Sequence, residues 1–280
     1  MSNPTQSERG TFKTPDGIDI HWASDVPEGA KAAVMLLHGY AEHLGRYDGF
    51  VESLNARGFA VWRLDYRGHG RSGGRRGHVY HFDDFFAELG LVRDRMFAAT
   101  ERLPRFLVGH SHGGLLSTHF ISRSPEGFRG VALSSPFFGF GLKVPAWKAF
   151  AGRTLSRLVP ALAMPTDIDP AIVSHDPEVV RQYKSDPLNG RTATARWFTE
   201  MLRVHSETPA AAHRVKLPIL VQQAGDDRLA AVESTRQIFA ALGSEDRQYI
   251  EYPGMYHEIW FEQERARTVG DLLEWLDKHT

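Results

Sequence analysis

Cysteine is absent from all 280 residues, which excludes disulfides, thiolate catalysis and cysteine-ligated zinc. An excess of one charge is missing too. Thirty-three Lys and Arg face 34 Asp and Glu, a net charge of −1, which removes the electrostatic case for a nucleic-acid partner. No long hydrophobic run occurs, since the longest stretch free of charged residues and histidine, Gly130–Leu142, is too short and too rich in Gly, Ser and Pro to span a bilayer. The opening MSNPTQSERGTFKTPDG is polar and lacks the apolar core of a secretory signal, so cytoplasmic residence is the expectation. Repeats, heptads and low-complexity tracts are likewise missing. There are 14 histidines but no HExxH stretch, and neither a metal nor a cofactor is expected.

What is present is an alternation of short apolar runs with amphipathic ones. AAVMLLHG (Ala32–Gly39) is nearly continuous apolar, as a strand buried on both faces of a parallel sheet would be. FAVWRLD (Phe59–Asp65), RFLVG (Arg105–Gly109), GVALSS (Gly130–Ser135) and LPILVQQ repeat the pattern, with helical segments between them. That rhythm predicts an α/β fold with a mostly parallel sheet and helices on both faces. It is interrupted over about residues 139–214. Residues 1–138 and 215–280 are therefore read as the core and 139–214 as an inserted helical cap. Within the cap, Trp147, Phe150, Ala151, Leu155, Leu158 and Val159 fall at helical spacing and form one apolar stripe. The stripe suits packing on the body, and a part of it facing the cleft would line an acyl-binding tunnel.

Two GxSxG matches compete for a nucleophile, GHSHG around Ser111 and GRSGG around Ser72. A nucleophilic serine needs a sharp strand-to-helix turn that lifts its hydroxyl into a cleft and crowds its neighbours, which must then be small. Ser111 has the strand FLV before it, Gly109 and Gly113 beside it and the helix-like GGLLSTHFIS after it. Ser72 follows RGHG and precedes GRRGHV, and has neither strand nor helix. Ser111 is the candidate nucleophile. The chain order Ser, acid, His then points to AGDDRL for the acid, where Asp227 is preferred to Asp226, and to His257 in the loop YPGMYHEIW for the base.

With these residues placed, the chain resembles α/β-hydrolases of the monoacylglycerol lipase and lysophospholipase group. HGYAEHLGRY (His38–Tyr47) is similar to that group's HGxxEHxxRY, LDYRGHGRSGG to its GHGxSxG loop, and GHSHGG to its nucleophile elbow. SDPL (Ser185–Leu188), DDRL and YHE match further segments. The resemblance implies a cofactor-free serine esterase acting on single-chain lipid esters through an acyl-enzyme. The oxyanion donors would be the backbone N–H groups of Tyr40 and His112, and their places after a strand and after the nucleophile agree physically. Tyr40 replaces the alanine, and His112 the methionine or other apolar residue, common at those places. Glu42, His43 and Arg46 suit either contacts to a polar head group or a network fixing the loop. Arg67, Arg71, Arg75 and Arg76 suit a phosphate contact or, better, a solvated loop. Rival readings are an acyltransferase or short-chain esterase with the same triad, and a silent ligand-binding protein on this fold. At most, transient membrane-surface contact through the cap is expected.

Overall fold

The computed structural model describes residues 4–141, 146–166 and 169–280. Among them, eight strands form one sheet in the order β1-β2-β4-β3-β5-β6-β9-β10. These are β1 (Thr5–Lys13), β2 (Asp19–Pro27), β3 (Ala32–Leu37), β4 (Phe59–Leu64), β5 (Arg105–His110), β6 (Gly130–Ser134), β9 (Ile219–Ala224) and β10 (Arg247–Tyr252). Strands β1, β2 and β4 pair antiparallel, and every other pairing is parallel. The helices are α1 (Asp48–Ala56), α2 (Asp84–Ala99), α3 (His112–Ile121), α4 (Ala146–Leu158), α5 (Pro177–Ser185), α6 (Ala195–Arg214), α7 (Val232–Ala241) and α8 (Arg265–Lys278). A small ribbon, β7 (Ala163–Pro165) with β8 (Thr192–Thr194), completes the insert between β6 and β9.

The apolar runs are continuous because both faces of the sheet are covered. Along β3, Ala33, Met35 and Leu37 join one core cluster with α2 and α3 residues such as Phe85, Leu89 and Leu115. Ala32, Val34 and Leu36 point the other way, into a cluster with Phe50, Val51 and Leu54 of α1 and Leu272, Trp275 and Leu276 of α8. Period-two alternation sends neighbouring side chains to opposite faces, so a strand in this place must be apolar at every position.

The segment 139–214 is not a separate layer. Helix α6 sends Met201, Val204 and Ala212 into the first core cluster, so its middle and end belong to the body while its start reaches the catalytic edge. Helix α4 is peripheral and packs on α6, with Gly152 against Phe198 and Ser156 hydrogen-bonded to Thr199 at 2.8 Å. Its apolar stripe is not the face that packs: Trp147, Phe150 and Leu158 are 68%, 72% and 75% exposed. The expectation that the stripe packs on the body is corrected here, because the residues turned inward are small, and small residues let two helices approach closely. Pro145, which opens that segment, lies outside the described residues.

Ser72 has a structural task. Its hydroxyl donates to the Asp65 carbonyl at 2.6 Å and accepts from the His21 N–H at 2.8 Å, tying the loop after β4 to β2. Replacing it with alanine leaves a buried N–H without a partner. Ser72→Ala should lower the unfolding free energy by about 1–3 kcal/mol in urea titration while leaving active-site labelling by a fluorophosphonate intact.

Candidate active site

Ser111 sits between the end of β5 and the first residue of α3 with φ +52° and ψ −116°. Left-handed φ strains a residue that carries a Cβ. Three non-glycine residues adopt it among those described, Ala41, Ser111 and Ser135, and of these Ser111 lines the cavity. The turn is held by the Ser111 N–H donating to the Ser134 carbonyl at 2.8 Å, and by the Ser111 carbonyl accepting from Gly114 and Phe137 N–H, both at 2.9 Å. Its tightness explains the glycines. A Cβ on Gly109 would strike the Gly113 carbonyl and Ser117 Oγ, and one on Gly113 would strike the Leu37 and His38 carbonyls.

Ser111 Oγ lies 2.8 Å from His257 Nε2, and His257 Nδ1 lies 2.7 Å from Asp227 Oδ2. Ionised Asp227 only accepts, so the ring proton sits on Nδ1 and Nε2 is free to accept from the serine hydroxyl. Asp227 is oriented in turn, since its Oδ1 accepts from the Leu229 and Ala230 N–H groups at 2.9 Å each and its Oδ2 from Gln223 at 3.2 Å. Asp226 is exposed and has no part in this row. Burial of His257 opposes its protonation, but the charge and hydrogen bond of Asp227, with Glu258 and Glu42 nearby, outweigh it and raise its pKa above the ordinary 6.5.

The residue before the serine, His110, is fully buried and bonded to Ser134 Oγ at 3.0 Å, with its ring centroid 4.9 Å from that of His257. Burial, then the charge that His257 can carry, hold it neutral. His112 is also buried and neutral, in a box of Tyr40, Tyr66, Phe82, Phe85 and Trp197. The His112 backbone N–H is the first of α3, and Gly39, which precedes Tyr40, sits close enough to Ser111 that a Cβ there would be 3.2 Å from the serine Cβ. Among the described residues, neither the Tyr40 nor the His112 N–H donates within the protein. Both are available beside the serine oxygen.

Glu42 and Arg46 lie in a buried network. Glu42 accepts from the Gly39 N–H, from Tyr47 Oη at 2.7 Å and from Arg46, and Arg46 makes a two-pronged contact to Glu258 at 2.8 Å on each arm. Burial disfavours the charge on Arg46, but Glu258 and Glu42 more than offset it and hold the guanidinium ionised. His43 pairs with Asp186 of the SDPL stretch at 2.8 Å. The loop arginines brace their own loop: Arg67 pairs with Glu88 and Asp16, and Arg76 donates to the Gly70 carbonyl at 2.6 Å.

A cavity of about 300 Å³ opens over Ser111. Its lining combines polar side chains, Glu42, Glu258, His110 and Tyr183, with apolar ones, among them Phe137, Phe140, Trp197, Phe198, Val173 and Leu229. Trp147, Phe150 and Leu158, expected to line it, do not. Its aromatic walls instead come from Phe137 and Phe140 in the segment after β6 and from Trp197 and Phe198 in the first turn of α6. Among the described residues no three His, Asp or Glu side chains converge as a metal site would require, and no helix is long and apolar enough to cross a membrane.

Residues 28–264 match the family described as Serine aminopeptidase, S33. The chain is 32% identical to a monoacylglycerol lipase of Mycolicibacterium smegmatis over all of both chains. It is also 32% identical to a phospholipase of Bacillus subtilis over 92% of this chain and 98% of that one. Among solved structures, a monoacylglycerol lipase of Paleococcus ferrophilus superposes with a TM-score of 0.81 at 29% identity, covering 98% of this chain and all of the other. The chain belongs to this family, as an α/β-hydrolase of the monoacylglycerol lipase group and a carboxylic-ester hydrolase.

The raised pKa of His257 has a measurable consequence. Its imidazole should titrate above 6.5 by NMR, and Asp227→Asn, which removes the main charge favouring protonation, should move that titration downward. Asp226→Asn should leave it in place.

Proposed function

We propose that this ester hydrolase acts on single-chain lipid esters, monoacylglycerols or lysophospholipids, through Ser111, His257 and Asp227. The observation that carries the reading is the hydrogen-bonded row Asp227–His257–Ser111 on the floor of a largely apolar cavity. In this mechanism His257 Nε2 takes the Ser111 proton as Oγ attacks the ester carbonyl. The oxyanion accepts from the Tyr40 and His112 N–H groups, aided by the N-terminus of α3. Collapse expels the alcohol with the proton from His257 and leaves an acyl-enzyme, which a water activated by the same imidazole hydrolyses. Asp227 holds the tautomer and stabilises the imidazolium.

The cavity's mixed lining suits a single acyl chain with a small polar head. Its aromatic side chains offer surface for methylenes, each worth about 0.8 kcal/mol when buried, and Glu42, Glu258 and Tyr183 offer polar groups to the leaving alcohol. The lipase and phospholipase names of the relatives support the same substrate class. A peptide substrate suits the site less well. An aminopeptidase must bind an ammonium, and the two carboxylates that line the cavity, Glu42 and Glu258, are both engaged by Arg46. The exposed Trp147, Phe150 and Leu158, with exposed Arg153 and Arg157 on the same helix, suit transient contact with a lipid surface, and a cytoplasmic setting is part of this reading.

Ser111→Ala should abolish both ester turnover and fluorophosphonate labelling; surviving turnover would move the nucleophile elsewhere. Phe198→Ala should reduce kcat/KM for a long-chain monoester about tenfold more than for a butyrate ester, the equivalent of losing contact with one or two methylenes. Phe150→Ser should leave that ratio within about twofold when substrate is dissolved as monomer, and lower the rate only on vesicle-bound substrate.

A further inference from the structure

The loop Gly39–Glu42 is gripped from two sides. On one, the Glu42 carboxylate holds the Gly39 N–H and, through Arg46, reaches Glu258 beside His257. The other grip belongs to the insert and is made largely by the Tyr40 side chain. Its hydroxyl donates to the Thr192 carbonyl in β8 at 2.7 Å, and its ring lies against Trp197 with centroids 4.0 Å apart. Next to it, the Ala41 carbonyl accepts from the Gly190 N–H at 2.8 Å, with Ala41 held at φ +62°. The Gly77 carbonyl accepts from the Thr194 N–H at 2.9 Å, and a Cβ on Gly77 would strike the Thr192 carbonyl and the Tyr40 hydroxyl, so the contact needs glycine there.

The strand gripped in this way leads directly into the cavity wall. The Thr194 hydroxyl accepts from the Trp197 N–H at 3.3 Å and caps α6, whose first turn presents Trp197 and Phe198 to the cavity. Tyr40 is thus bonded through its hydroxyl to the insert while its own N–H is the donor assigned above to the oxyanion. A side chain fixed at both ring and hydroxyl fixes χ1 and χ2, and because Cβ and the amide nitrogen share one tetrahedral carbon, it restrains the rotation that aims the N–H. Alanine at this position exerts no such restraint.

We propose that the Tyr40 side chain is a positioning group: by bonding the Thr192 carbonyl it aims its own backbone N–H at the oxyanion, so that donor geometry depends on the insert being seated. The inference rests on the oxyanion role given above to the Tyr40 N–H. Its distinguishing consequence is that a substrate too short to touch the insert still feels the loss. An anchor acting only on the insert would slow long esters and spare acetate.

The test uses Tyr40→Phe, which keeps the ring, the stacking and the N–H and deletes one hydrogen bond. The readouts are kcat and KM on p-nitrophenyl acetate, hydrogen exchange over residues 190–194 and thermal melting. The expected result is an acetate kcat lowered about five- to tenfold, the kinetic equivalent of about one hydrogen bond, with KM within about twofold and faster exchange at Thr192–Thr194. Tyr40→Ala should lower kcat further. An acetate kcat within about twofold of the parent in Tyr40→Phe, with or without a lower melting temperature, overturns the proposal. Ser111→Ala, assayed in parallel, keeps the two readings apart, because loss of its turnover supports the nucleophile whatever Tyr40→Phe does. Turnover surviving in Ser111→Ala overturns the nucleophile and this inference with it.

Discussion

The left-handed turn at Ser111 is the constraint around which the catalytic edge is arranged. A residue with a Cβ pays for φ near +52° with strain on the order of 1–2 kcal/mol, and such strain persists only where its surroundings over-determine the conformation. Here they do. The Ser111 carbonyl caps the first turn of α3 and also binds the Phe137 N–H, while its own N–H is spent on β6. Gly113 brings the helix backbone against the carbonyls that end β3, and that approach sets Gly39 and Tyr40 beside the serine. Strand, helix and oxyanion loop are thus one packing problem with glycine at each crowded point.

The second constraint is electrostatic. Glu42 and Glu258 are buried and the Arg46 side chain is 9% exposed, and taking such charges out of water gains little net stability. What the arrangement supplies is registry. Arg46 spans from the loop after β3 to the residue after His257, two segments more than 200 positions apart in sequence, and its two-pronged contact fixes direction as well as distance. Removing one partner would strand an uncompensated charge, which costs far more than the pair contributes. The carboxylates also sit near enough to His257 to favour its protonated form, so in the proposed mechanism the network that positions the histidine would also assist its positive charge.

Much of this was legible in the chain, for identifiable reasons. The parallel strands could be read because burial on both faces forces unbroken apolar runs such as AVMLL. The elbow could be read because its crowding demands glycine at fixed offsets. Three things were hidden. Strand β1, TQSERGTFK, is an exposed edge with few apolar residues, and only its pairing with β2 makes it a strand. Helix α6 contains Pro209, a helix breaker by propensity, which is tolerated because the helix is anchored in the core on both sides of it by Val204 and Ala212. The stripe of α4 misleads because amphipathicity marks an apolar face without saying what covers it.

The last point explains how the insert divides its work. Helix α6 is continuous with the core, so the wall made by Trp197 and Phe198 is packed on the body of the protein. Helix α4 packs behind that wall through Gly152 and Ser156 and leaves Phe150 and Leu158 largely exposed. Met164 and Pro165 of β7 lie between the two, lining the cavity while Met164 is itself 41% exposed. Chain selection and surface contact are therefore assigned to different helices, and a substitution on one need not disturb the other.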